Sequence, residues 1–126
     1  MSIAYCCVLI AALMPILLTG IAKFSGRGYN NRAVPEFQAR LSGFRQRAHW
    51  AHNNSFEAFP PFAAAVIIAQ QVGAAPASVD QLALAFVALR VVYAGFYLAD
   101  LHHWRSLAWV GAFACTIGLF LLAARA

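Results

Sequence analysis

The chain has 126 residues, enough for one domain; 63% of them are hydrophobic and only 10% charged. Soluble domains carry about 25% charged residues, so this composition, with a mean hydropathy of +0.69, excludes an ordinary soluble enzyme and places the chain in a membrane. The net charge of +5 does not describe a nucleic-acid-binding face, because the basic residues gather in connections between apolar runs.

Four apolar segments predict four membrane-spanning helices in a single domain, 1–126. A span needs roughly 20 apolar residues at 1.5 Å rise each. The first segment, about 3–22, carries no charge and contains Pro15. It has neither a basic leader nor an A-x-A pattern, and reads as a retained span rather than a signal peptide. The connection after it holds Lys23, Arg27, Arg32, Arg40, Arg45 and Arg47. The second segment, about 46–72, opens with RAHWAHNNSFEAFPPF before turning apolar, and its length would lift that polar entrance out of the lipid core. Pro15, Pro60 and Pro61 each remove a backbone donor and predict bends satisfied by neighbouring helices.

The connection to the third span, about 81–99, contains no Lys or Arg; the one to the fourth span, about 106–124, ends in Arg105. The positive-inside rule then sets the first and third connections in the cytoplasm and both termini on the other side. In the fourth span, Gly111 and Cys115, and Ala114 and Gly118, recur at four-residue spacing, which permits close helix contact in lipid. Cys6, Cys7 and Cys115 lie in apolar runs and read as small fillers. His49, His52, His102 and His103 share one membrane side, but no carboxylate or cysteine spacing completes a metal site, so they read as interfacial histidines and no metal is expected.

Polar residues inside spans are expensive and mark function or tight structure. Arg47, Trp50, Asn54 and Glu57 are spaced 3, 4 and 3 apart, which lays them on one helical face. Arg90, Tyr93, Tyr97 and Asp100 repeat the same spacing in the third span. Packed antiparallel, the two stripes bring Glu57 to the depth of Arg90 and Asn54 to that of the tyrosines. One reading is a buried Glu57–Arg90 ion pair with helix-joining hydrogen bonds. The other is a polar wall, with Arg105 just beyond it, that binds a polar anionic ligand.

The run Ala51-His52-x-Asn54-x-x-Glu57 with Phe59, Pro60 and Phe62, and Arg90-x-x-Tyr93-x-x-x-Tyr97 followed by Arg105-Ser106, resembles the MAPEG family of membrane-associated proteins in eicosanoid and glutathione metabolism. The likeness spans essentially the whole chain and is nearest to the short bacterial branch. It implies an all-α membrane protein, a four-transmembrane-helix bundle assembled as a homotrimer. Glutathione would serve as co-substrate between subunits, on the cytoplasmic side. Carried over by position, Arg47, Asn54, Glu57, Arg90, Tyr93 and Tyr97 would bind it, and Arg105 would stabilise its thiolate as the catalytic residue. The implied activity is a glutathione transferase or peroxidase acting on small lipophilic substrates, with membrane lipids and further copies of the chain as partners and no nucleic acid.

The sequence departs from the eicosanoid enzymes at Trp50, where they carry an arginine that grips glutathione; Arg47, one turn earlier, would have to reach. The alternative reading is therefore a non-catalytic membrane scaffold, a lipid-binding protein or an accessory subunit of a larger membrane complex. A small multidrug exporter of four spans is disfavoured, because such proteins need an acidic residue in the first span and this one has none.

Overall fold

The structure, a computed structural model, describes residues 1–126 and contains five helices. They are α1 (Ile3–Phe24), α2 (Val34–Ala39), α3 (Gly43–Gln71), α4 (Pro76–Leu98) and α5 (His102–Arg125). There is no strand. Helices α1, α4 and α5 are long and apolar enough to cross a membrane. They turn Ile16, Leu17, Leu84, Val91, Leu107 and Val110 outward, as lipid-facing helices do. Helix α3 is the longest, at 29 residues, but its first half is too polar to join that set.

The four long helices follow the four expected segments; α1, α3, α4 and α5 each extend past at least one expected end, while α3 and α4 stop one residue short of 72 and 99. Helix α4 begins at Pro76 rather than near 81, since a proline in the first turn costs no hydrogen bond. Helix α5 begins at His102 rather than near 106. The short α2, with Pro35 in its first turn, was not foreseen within the basic connection. Helices α1 and α3 run on through Pro15, Pro60 and Pro61.

Helix α1 packs chiefly on α3, and α4 on α5. The largest apolar core lies towards the end that carries both termini. There Phe62 stacks on Phe86 with ring centroids 3.8 Å apart, among Cys7, Val66, Val79 and Leu119. Small residues bring α4 and α5 close. A Cβ at Gly111 would stand 3.1 Å from Leu89 Cδ1, and one at Gly118 would stand 3.2 Å from Leu82 Cδ1. The two glycines and the two leucines are each seven residues apart, so one leucine ridge fits one glycine groove.

That end is also locked by polar contacts. Ser2 Oγ accepts from the Tyr5 amide and from Gln70 Nε2, and Asp80 Oδ1 accepts from the Ala4 amide. The first turn of α1 is thus capped by its own serine and by two neighbouring helices.

At the opposite end, two arginines of α3 close two other helices. Arg45 donates to the carbonyls of Ala22 and Lys23, in the last turn of α1, and to that of Arg27 in the loop beyond, at 2.8–2.9 Å. Arg47 donates through Nε and Nη2 to Leu98 O, 3.2 Å each, at the end of α4. Both put a cation where the helix dipole is negative and carbonyls lack partners.

Helices α3 and α4 end alike. The Ala74 amide reaches Ala69 O past Gly73 at φ 78°, and the Leu101 amide reaches Phe96 O past Asp100 at φ 62°. Each is a six-residue C-terminal loop that requires a left-handed residue. Glycine fills the first, but aspartate strains the second. An L residue there costs about 1–2 kcal/mol, against about 0.5–1 kcal/mol of added backbone entropy for glycine. Asp100→Gly is therefore expected to stabilise the protein by about 0.5–1 kcal/mol, read as a higher melting temperature in detergent.

Candidate functional site

The two polar stripes converge. Three adjoining hollows lie along α3, α4 and α5, with volumes of about 450, 330 and 160 Å³. Asn54 lines all three; Tyr93 and Tyr97 line the two larger ones. Glu57 joins the first to the third, and Arg105 with Ser106 walls the second. Of the seven expected site residues, Asn54, Glu57, Arg90, Tyr93, Tyr97 and Arg105 thus share one trough. Arg47 lines none of the three hollows; its Nε and Nη2 turn to Leu98 O. Asp100 lies outside the stripe as well, since α4 ends at Leu98.

The aromatic rings set the geometry. Tyr93 and Tyr97 meet edge to face at 5.6 Å, with the Arg90 guanidinium 4.1 Å from the Tyr93 centroid and that of Arg105 4.4 Å from the Tyr97 centroid. Stacking on a ring orients a guanidinium and leaves its edge donors free. Trp50 lies 6.5 Å from Tyr97 and is exposed on the same wall.

Arg90 is the buried charge of the site. It is 2% exposed, and its one hydrogen bond in the structure is a 3.2 Å donation from Nη2 to Ser55 Oγ. The Glu57–Arg90 ion pair weighed from the sequence is not formed. Both residues line the smallest hollow, but Glu57 is exposed and Arg90 turns to Ser55. A buried cation without a carboxylate is costly unless something anionic reaches it. Asn54 adds a second unmet demand: its Oδ1 is buried without a hydrogen-bond partner. These two groups face the same trough from adjacent helices.

Ser55 was missed in the sequence. The signal was there: Ala48, Ala51 and Ser55 form the buried side of α3, and a lone serine in an alanine row has a partner to meet. The apolar end of the trough was also missed. Below Arg90 and Glu57 the smallest hollow is walled by Phe86, Trp109, Phe113, Ala58 and Ala112. Its α5 lining carries one hydroxyl, that of Thr116, among apolar residues, and no polar stripe to single it out. His52 proved structural, its Nδ1 lying 2.7 Å from Pro15 O and tying α3 to α1.

The site therefore offers a buried guanidinium, a carboxylate, an amide oxygen, two phenols and a second guanidinium above an aromatic pocket. Such a set suits a zwitterionic, amide-bearing ligand with an apolar molecule beside it. Comparison with the curated proteins and with the solved structures found no significant match. The profile of the MAPEG family matches residues 3–125, nearly the full length with both polar stripes inside it, and the chain belongs to that family of membrane proteins.

Proposed function

We propose that the protein is a membrane-bound glutathione transferase or peroxidase acting on lipophilic electrophiles. The observation that carries this reading is Arg90, a buried guanidinium with no carboxylate partner, opening on the same trough as the unpaired Asn54 Oδ1. Glutathione supplies what these groups lack. One of its carboxylates meets Arg90, its ammonium meets Glu57, and its peptide groups meet Asn54, Tyr93 and Tyr97. Its sulfur lies near Arg105, whose guanidinium favours the thiolate. The thiolate attacks an electrophilic carbon held against Phe86, Trp109 and Phe113. A carbon–sulfur bond forms as the leaving group departs with its electron pair.

In this reading α3 is the fourth span, its polar half rising to the headgroups, and three copies assemble around the exposed side of the trough. The basic connection faces the cytoplasm and both termini face away, as charge asymmetry favours in a bacterial inner membrane. Trp50 supports a second reading. It stands exposed where the family's eicosanoid enzymes carry an arginine, which suits a non-catalytic member that holds lipid or a partner subunit.

One measurement separates the two. Native mass spectrometry in mild detergent, with added glutathione, is expected to show three copies carrying the thiol. Ultraviolet difference spectra of the same sample should show thiolate. Thiol binding without thiolate absorbance would leave the scaffold reading in place; a monomer that retains the thiol would rule out the intersubunit site.

A further inference from the structure

Segment 23–47 holds six of the chain's nine basic side chains against one carboxylate, Glu36. These residues do not lie flat on the end of the bundle. Arg27, Arg40 and Arg45 line a hollow of about 440 Å³ whose floor is Phe37 and Leu41, 5% and 7% exposed. No carboxylate lines it, and it shares no residue with the trough on α3, α4 and α5.

The hollow is built rather than incidental. Arg45 is fixed by its three carbonyl partners and stacks 5.2 Å from the Phe37 centroid, so one wall is rigid. Its bond to Arg27 O holds the rim residue in place. Arg27 and Arg40 are exposed, and their side chains make no hydrogen bond. Helix α3 starts at this wall with neither a side-chain cap from Ser42 nor an acidic residue in its first turn. Its leading amides add positive potential to that of the arginines.

An apolar flank adjoins the charge. Phe37 meets Tyr29 edge to face at 5.5 Å, and Tyr29 meets Phe24 at 5.1 Å. Phe24 is 71% exposed and Phe44 45%. A cationic hollow beside outward phenylalanines, at the end of apolar helices, has the chemistry to take a phospholipid, with its phosphate among the arginines and its acyl chains along the rings.

We infer that this hollow binds the phosphodiester of an anionic phospholipid at the membrane surface, as a site separate from the trough. The net charge of the segment selects a headgroup without its own cation, such as phosphatidylglycerol, over phosphatidylcholine.

The full-length protein, delipidated in neutral detergent, is titrated with phosphatidylglycerol and with phosphatidylcholine and followed by native mass spectrometry. Phosphatidylglycerol is expected to bind more tightly, and less so as salt rises. Arg27→Gln/Arg40→Gln removes two charges that support no contact in the fold. Its affinity for phosphatidylglycerol should fall about 30-fold, equivalent to roughly 2 kcal/mol at 1.4 kcal/mol per tenfold. Arg125→Gln, at the other end of the bundle, should change nothing. Equal binding of the two lipids, or full affinity in the double variant while its helicity is intact, overturns the site. Displacement of phosphatidylglycerol by millimolar inorganic phosphate overturns the lipid assignment in favour of a small phosphate compound.

Discussion

Arg105→Ala is expected to erase the thiolate signal of bound glutathione while leaving most of the binding in place. Arg105 lies over the Tyr97 ring at the edge of the trough, half-buried beside Ser106 and Trp109. It therefore acts on the end of the ligand nearest α5, while Arg90, Asn54 and Glu57 hold the rest. A free thiol with a pKa of about 8.5 is only about 3% ionised at pH 7. A guanidinium that lowers it by two units, about 2.7 kcal/mol, raises that to about three-quarters. Losing Arg105 thus reduces the thiolate roughly 25-fold at pH 7.

Turnover responds to two opposing effects. The thiolate population falls, but a more basic thiolate is a better nucleophile, by about tenfold over two units. If Arg105 works only through the pKa, conjugation at pH 7 slows by roughly two- to threefold. A loss of 100-fold or more would mean that it also stabilises charge in the transition state. Raising the pH to about 9 should restore the absorbance in Arg105→Ala, since the thiol then ionises unaided. Full thiolate absorbance in the variant at pH 7 would remove Arg105 from the chemistry.

The 3, 4, 3 spacing on each of two helices is a local property of an α-helix, and it located Asn54, Glu57, Arg90, Tyr93 and Tyr97 on shared faces before any packing was known. What each side chain would touch was not legible in the same way. Arg45 and Arg47 are two residues apart and so project to opposite sides of α3. One reaches the end of α1 and the other the end of α4, an outcome that depends on which helices flank α3. Arg47 matched the stripe by spacing and was lost to the trough by tertiary contact. Asp100 matched the second stripe, but α4 ends at Leu98 and leaves it in a left-handed turn. The Glu57–Arg90 pair failed for a related reason. Depth in the bundle was right, but Ser55 stood on the buried side of α3 and took the guanidinium first. The apolar wall of Phe86, Trp109 and Phe113 carries no periodic signal apart from the general hydrophobicity of a span.

The second large effect concerns Arg90, and Glu57 serves as its control. If the Arg90 charge were structural, replacing it would destabilise the bundle. A buried ion pair broken on one side costs about 3–5 kcal/mol. Here no carboxylate depends on Arg90, and the one group left unpaired is Ser55 Oγ, worth about 1–3 kcal/mol. Methionine fills similar space without a charge to desolvate, which offsets part of that loss. Arg90→Met is therefore expected to fold, with a melting temperature close to that of the parent, and to lose glutathione affinity by about 30-fold or more. That loss corresponds to at least 2 kcal/mol for a fully desolvated charge contact with the ligand. Glu57→Gln should be milder. Glu57 is exposed and unpaired, so the fold should not change. The ligand's ammonium would keep a hydrogen bond to the amide oxygen but lose the opposite charge of the carboxylate, a difference of about 1–2 kcal/mol or 5- to 30-fold in affinity. Thermal melts and glutathione titrations on the two variants check both statements. Arg90→Met that unfolds in detergent would make the guanidinium a structural cation and leave the trough without its anchor. Arg90→Met that folds and still binds glutathione at parental affinity would place the ligand elsewhere.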